Sequence, residues 1–348
     1  MRLRVPVLTP VLAPVLAAVL ALAVSACGST AKEEATPAAS GGVPLTVGLN
    51  YVGTVEHFAP YYALKEGLYA KEGLDVTIKP GGDTPPSTLL AAGQVDIAVL
   101  DTLSTITAAS QGADFVAIAT EYQQTPTSMT CRNDSGVKRP SDLAGKRLGL
   151  KQAANVYLPA ILSAIGVTKD QIKIVPIGGQ DVSLLISGQV DCMFSSFAFN
   201  EPRSIEAAGV PVTVFPLGQL GIPSQGNTYV TTRKIYDDPA KRAALTKWVG
   251  VMSKAYEVLL RDPEAGAKYM VDNKFTSGLD LDQQIYQSKT QTSYIADDHT
   301  AENGLLSLNP KAWEEVAKVA VKLKLTPKLV DVKPLLGDLS GEAGTAKL

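Results

Sequence analysis

The sequence predicts an α/β chain of two lobes, each an open, mostly parallel sheet flanked by helices, with a cleft between the lobes. Three observations lead there. Short apolar runs such as Leu74–Lys79, Val95–Leu100 and Phe115–Thr120 alternate with helical segments, which is the pattern of parallel strands buried on both faces. The pattern then repeats in letters. IKPGGD…LLAAGQVDIAVL (Ile78–Leu100) returns as VPIGGQD…LLISGQVDCMF (Val175–Phe194), with Gly93-Gln94-Val95-Asp96 echoed by Gly188-Gln189-Val190-Asp191. Units this large are not solenoid repeats, so they imply two lobes of like topology. Finally, 348 residues supply enough core for two domains of ordinary size.

The N-terminus reads as a processing signal. Met1–Ala26 has a basic start (Arg2, Arg4), an apolar Ala/Val/Leu run and no acidic residue, as in a secretory signal peptide. Val24-Ser25-Ala26-Cys27 match the bacterial lipoprotein box, in which the Cys thiol takes a diacylglyceryl group and becomes the mature N-terminus. Two or more acyl chains hold a protein stably, so Cys27 is the expected lipid anchor, on the extracytoplasmic face of the cell membrane. Gly28–Pro44 is small and polar, a flexible tether. Without the first 26 residues the chain carries 30 basic and 34 acidic residues, a formal charge of −4. No basic stripe is present, and nucleic acid is not an expected partner.

Along the body, Pro60 opens a helix after a short β run, Leu74–Lys79 is a strand, and the turn Pro80–Asp83 leads to a helix over Pro85–Ala92. Val95–Leu100 runs into Asp101 and Thr102, a helix follows over Leu103–Gln111, and Phe115–Thr120 ends at Glu121 and Tyr122. The second series has strands at Lys146–Leu150, Gln171–Ile177 and Val190–Ser195, a helix to Ile165, and a strand near Val212–Phe215. Asn227–Thr232 returns the chain to the first lobe, so the crossings near Thr127–Cys131 and Asn227–Thr232 form a hinge. The expected organisation is 1–26 signal peptide, 27–44 lipidated tether, 45–129 plus 232–348 first lobe, and 130–231 second lobe. Beyond it the chain is helical, with starts at Asp238-Pro239 and Asp262-Pro263, and Trp248 and Trp313 read as core. Cys131 and Cys192 both fall in expected strands. They pair if those strands are neighbours and are otherwise two buried thiols.

The stretch LNYVGTVEHFAPYYALKEGLYAKEGLDV (Leu49–Val76) carries a resemblance. It is similar to the first strand and helix of the ABC-transporter solute-binding proteins that include thiamine-pyrimidine-precursor, sulfonate and nitrate binders. In the pyrimidine branch the strand ends in a polar and an aromatic residue and an Asn-His pair leads into the helix; Asn50, Tyr51, Glu56 and His57 match, with Glu56 where Asn is usual. Near Asn200 the chain resembles an Asn-x-Glu-like segment whose Glu reaches the ligand, Glu201 here, with Phe197 where Tyr is usual. The resemblance implies a two-lobed type II periplasmic-binding-protein fold, a membrane permease as partner, capture of a small molecule by lobe closure, and a monomer.

Positions just after strand ends are the candidate ligand-binding residues. They are Asn50, Tyr51, Glu56, His57, Asp83, Asp101, Thr102, Glu121 and Tyr122 from one lobe, and Lys151, Gln152, Tyr157, Asp181, Phe197, Asn200 and Glu201 from the other. Acids and aromatics dominate. An anion would be repelled by the carboxylates, whereas an aminopyrimidine-like ring can stack on Tyr51 or Phe197 while carboxylates accept its N–H groups; a flavin-like ring is the next choice. Asp83, Asp101 and Asp181 also sit at plausible helix starts, where capping is the alternative role. No CxxC, GxSxG, HExxH or Walker motif is present, so no metal, cofactor or catalytic residue is expected. Pyrimidine synthases that resemble this family carry a Cys-rich motif absent here, which points to a binding protein rather than an enzyme.

Overall fold

The computed structural model describes residues 41–151, 157–178, 182–222 and 224–348. The expected leader, Cys27 and most of the tether lie outside them, as do the candidates Gln152 and Asp181.

Among the described residues, ten strands form two five-stranded sheets. The first contains β1 (Val43–Gly48), β2 (Leu74–Lys79), β3 (Ile97–Leu100), β4 (Phe115–Tyr122) and, from later in the chain, β10 (Gly226–Thr232). The second contains β5 (Thr127–Arg132), β6 (Arg147–Lys151), β7 (Lys173–Ile177), β8 (Cys192–Phe197) and β9 (Val212–Pro216). Their orders, β2-β1-β3-β10-β4 and β7-β6-β8-β5-β9, are the same topology written twice. In each, three parallel strands are followed by one antiparallel strand that has crossed from the other lobe, β10 in the first sheet and β5 in the second. All four residues of central β3 are buried, and so are all eight of edge strand β4, whose outer side is covered by backbone bonds from Gly337 and Leu339 and to Leu306.

β5 pairs in the second sheet from Thr127, where the expected boundary falls at 130, and β10 pairs wholly in the first sheet, where the expectation gives 226–231 to the second lobe. The cause is that a crossing strand pairs with its new sheet as soon as it arrives.

Helix starts follow local chemistry. Asp101, Asp238, Asp262, Asp280, Asp297 and Asn309 each accept a hydrogen bond from the backbone N–H three residues on, a cap worth about 1 kcal/mol apiece. Trp248 and Trp313 are fully buried, in line with a core role. Cys131 and Cys192 face each other across β5 and β8 and form a disulfide.

The helix Leu281–Ile295 has an unusual buried side made of Gln284, Gln287, Ser288 and Gln291. It faces backbone rather than core. The Val55 N–H donates to Gln284 Oε1 at 2.8 Å and Gln291 Nε2 donates to the Val55 carbonyl at 3.0 Å. Those bonds hold the 3₁₀ turn Val55–His57, which joins β1 to the helix Phe58–Lys65. Buried polar groups are tolerated when partnered, and Gln284 and Gln291 are the two of the stripe that support the turn; the Gln287 and Ser288 side chains make no hydrogen bond among the described residues.

Candidate functional site

Strand ends from both sheets converge on a cavity of about 360 Å³. Ten of the candidates line it: Asn50, Tyr51, Glu56, Asp83 and Asp101 from the first lobe, and Lys151, Tyr157, Phe197, Asn200 and Glu201 from the second. A β1 that ends at Gly48 delivers Asn50 and Tyr51 to the rim. The loop after β2 packs against them so closely that a Cβ on Gly81 would lie 2.4 Å from the Tyr51 nitrogen, and this contact sets the position of Asp83 beside the cavity.

Asn227 is the hub of the floor. Its Oδ1 accepts from Asn50 Nδ2 at 2.8 Å, and its Nδ2 donates to Glu56 Oε1 and to Glu121 Oε2, each at 3.1 Å. It opens β10 in the left-handed region (φ 46°), a conformation Asn adopts more readily than most residues. Glu56 is buried there, and burial, reinforced by the nearby Glu201 charge, pushes its carboxyl up to about 8. Glu121 is also raised, first by burial and then by Glu56.

On the opposite wall Lys151 Nζ donates to Glu201 Oε1 at 2.5 Å, and Glu201 Oε2 accepts from the Phe197 N–H at 2.7 Å. Asn200 hydrogen-bonds Tyr51, whose hydroxyl is pushed up by burial and by Glu201 and Glu56. Asp101 caps the helix Thr102–Ser110, accepting from Ser104 N at 2.9 Å and Ser104 Oγ at 2.7 Å. The Tyr157 hydroxyl from the second lobe lies 3.5 Å from the same Ser104 oxygen, so the two lobes meet at this lip. Asp101 therefore both caps a helix and faces the cavity.

Four candidates stand behind the wall. His57 is fully buried, its ring makes no hydrogen bond among the described residues, and burial lowers it to about 3, so its 3.5 Å approach to Glu56 is a contact of two neutral groups rather than an ion pair. The Thr102 hydroxyl donates to the Gln225 carbonyl. Glu121 is held by Asn227, and the Tyr122 hydroxyl donates to Gln291 while its ring packs edge-on against Phe197 and Phe199. Glu121 and Tyr122 lie inside β4, which runs to Tyr122 instead of stopping at Thr120, and His57 ends the buried 3₁₀ turn, so neither segment is the free strand end that the sequence reading expects.

The strand-end rule missed Asn227, Thr125, Thr127, Ser104, Ser87 and Ser195, all of which line the cavity. Asn227, Thr125 and Thr127 belong to the beginnings of the antiparallel strands. A crossing strand brings its N-terminal end to the cleft, whereas the rule looked only at C-terminal ends. Ser195 lies inside β8 with φ 72°, a backbone twist with no mark in the letters.

Several known proteins are similar to this chain. A formylaminopyrimidine-binding protein of Halalkalibacterium halodurans is 22% identical over 272 residues, covering 77% of this chain and 82% of that protein. The riboflavin-binding protein RibY of Chloroflexus aurantiacus is 22% identical over 300 residues, covering 83% of each. Among solved structures, the alkanesulfonate-binding protein SsuA of Xanthomonas axonopodis pv. citri, bound to MOPS, superposes with a TM-score of 0.63 at 17% identity, covering 84% of this chain and 98% of that one. That likeness carries the fold, the two-lobed type II periplasmic-binding-protein architecture. Residues 54–266, from the turn that holds Glu56 to beyond the second crossing, match the family described as NMT1/THI5 like. That match takes in more than half of the chain, and the protein belongs to the NMT1/THI5-like family.

Proposed function

We propose that the protein is the substrate-binding component of an ABC importer, anchored by lipid on Cys27 at the extracytoplasmic face, and that it captures a small aromatic heterocycle of the thiamine pyrimidine-precursor class. The observation that carries this reading is the lining of the cavity. Rings (Tyr51, Tyr157, Phe197) and carboxyls (Glu56, Asp83, Asp101, Glu201) come from both lobes, and Lys151, the one cation among the described lining residues, is already bonded to Glu201. A sulfonate or nitrate favours a free cation, and among the described lining residues the only one, Lys151, is taken by Glu201. A flat ring with amino groups matches the stacking faces and the acceptors. The formylaminopyrimidine-binding relative supports the same class.

Ligand touching both lobes stabilises the shut form, and the shut form is what a permease would receive. Binding without conversion is supported by the state of His57, a neutral imidazole with no hydrogen bond among the described residues and no face on the cavity. Such a group is not poised to move a proton to a guest.

The test is thermal unfolding with 4-amino-5-hydroxymethyl-2-methylpyrimidine, riboflavin or MOPS, followed by mass spectrometry of the recovered compound. At a hundredfold excess over Kd a true ligand adds about 2.7 kcal/mol of stability. The expected result is stabilisation by the pyrimidine, recovered unchanged. Stabilisation by MOPS alone would assign an anion, and a converted pyrimidine would assign an enzyme.

A further inference from the structure

Resting on the reading of the cleft as a heterocycle site, we propose that Glu56 makes it selective for charge: the guest carries a cationic N–H donor group, an amidinium or ammonium, which replaces a proton that Glu56 holds in the empty cleft.

The geometry begins with a shortage of donors. One amide nitrogen, Asn227 Nδ2, serves both Glu56 Oε1 and Glu121 Oε2 at 3.1 Å, so those two oxygens lie no farther apart than twice that distance. The amide cannot turn to favour one of them, because its oxygen is held by Asn50. The Tyr122 and Tyr256 hydroxyls also hydrogen-bond the Glu121 carboxyl, so the shortage of donors falls on Glu56, the one of the pair that faces the cavity.

Nor is there a charge to balance the pair. On its own turn Glu56 has neutral His57. After β1 comes Tyr51, from β4 come Glu121 and Tyr122, and from β10 comes Tyr229, none of them cationic. β6 contributes Lys151, spent on Glu201, whose other oxygen is taken by the Phe197 N–H. The helix Leu281–Ile295, packed behind the turn, offers only glutamines and a serine. Two buried carboxyls this close, with no free cation, do not both ionise.

Of the two, Glu56 faces the cavity and Glu121 does not. A cationic N–H group arriving there supplies the missing charge and the missing donor together. A neutral guest of equal shape leaves the proton in place and meets an O–H instead of a carboxylate. An amide in this place, as in E56Q, has no charge state to switch.

The experiment titrates wild type and E56Q at pH 7 with two pairs of isosteres. They are 4-amino-5-aminomethyl- against 4-amino-5-hydroxymethyl-2-methylpyrimidine, and benzamidine against benzamide. The expected result is a preference of at least about tenfold for the cation, abolished in E56Q. Because the benzamidine cation keeps its charge across the range, its Kd in wild type should fall about tenfold per pH unit up to about pH 8 and level off above. This arm needs no variant. Equal affinities, a preference for the neutral partners, a flat pH profile, or no binding by any probe overturns the inference. If benzamidine is preferred through Glu56 but neither pyrimidine binds, the charge selectivity stands and the pyrimidine reading falls. If both pyrimidines bind equally, the reverse holds.

Discussion

Removing the Glu56 charge should stabilise the empty protein at alkaline pH. An unfolded Glu releases its proton near 4.5, whereas buried Glu56 keeps it to about 8. Between those values the folded state holds a proton that the unfolded chain has given up. Stability is therefore full below about pH 4.5, falls as pH rises to about 8, and is flat beyond. At 1.36 kcal/mol per pH unit the span corresponds to roughly 4–5 kcal/mol. With about 2.1 cal/mol/K of unfolding entropy per residue over roughly 300 ordered residues, that is about 7 °C in Tm. Gln in this place keeps an oxygen for Asn227 and never ionises. Ligand-free wild type and E56Q should unfold together near pH 5 and separate progressively, E56Q unfolding about 7 °C higher at pH 8. His57 slopes the other way, losing stability as pH falls from 6.5 toward about 3, but it does so in both proteins, so the difference between the curves reports Glu56 and its coupling to Glu121. Differential scanning calorimetry from pH 5 to 9 is the assay. Parallel curves would refute the assignment of a buried, proton-holding carboxyl.

K151M leaves Glu201 buried without its cation and should cost about 3–5 kcal/mol in urea unfolding; the double change K151M/E201L should recover much of it. Replacing both Cys131 and Cys192 by Ala removes a link across 61 positions and should cost about 4 kcal/mol by chain entropy, matched by adding reductant to the wild type. Gln283 Nε2 donates to Asn200 at 3.2 Å and the Arg203 guanidinium lies 4.4 Å over the Tyr286 ring, both joining one lobe to the other. Q283A/Y286A should weaken ligand binding about tenfold in calorimetric titration without altering the cavity lining.

The duplicated topology was legible because Gly-Gln-Val-Asp recurs at the same helix-to-strand turn in each lobe, and such turns are read from local chemistry. The ten candidates on the cavity were legible for a related reason: parallel strands put their C-terminal ends on one side of a sheet. Asn227 was not, since nothing in NTYVTT says that its strand runs against its neighbours. His57 was placed at the site on motif alone, and its inward direction depends on Gln284 and Gln291, more than 200 positions away, clasping the backbone of Val55. That polar clasp defeats periodicity reading, which takes a row of glutamines for a solvated face.

The central claim is that one guest is held by both lobes in the cavity floored by Glu56 and Asn227. A crystal structure of the protein isolated from its own host, with whatever small molecule it retains, tests this most directly. The predicted result is a planar, nitrogen-bearing molecule touching Tyr51 or Phe197 and presenting an N–H to Glu56. A molecule seated outside that cavity, or touching one lobe alone, would contradict it.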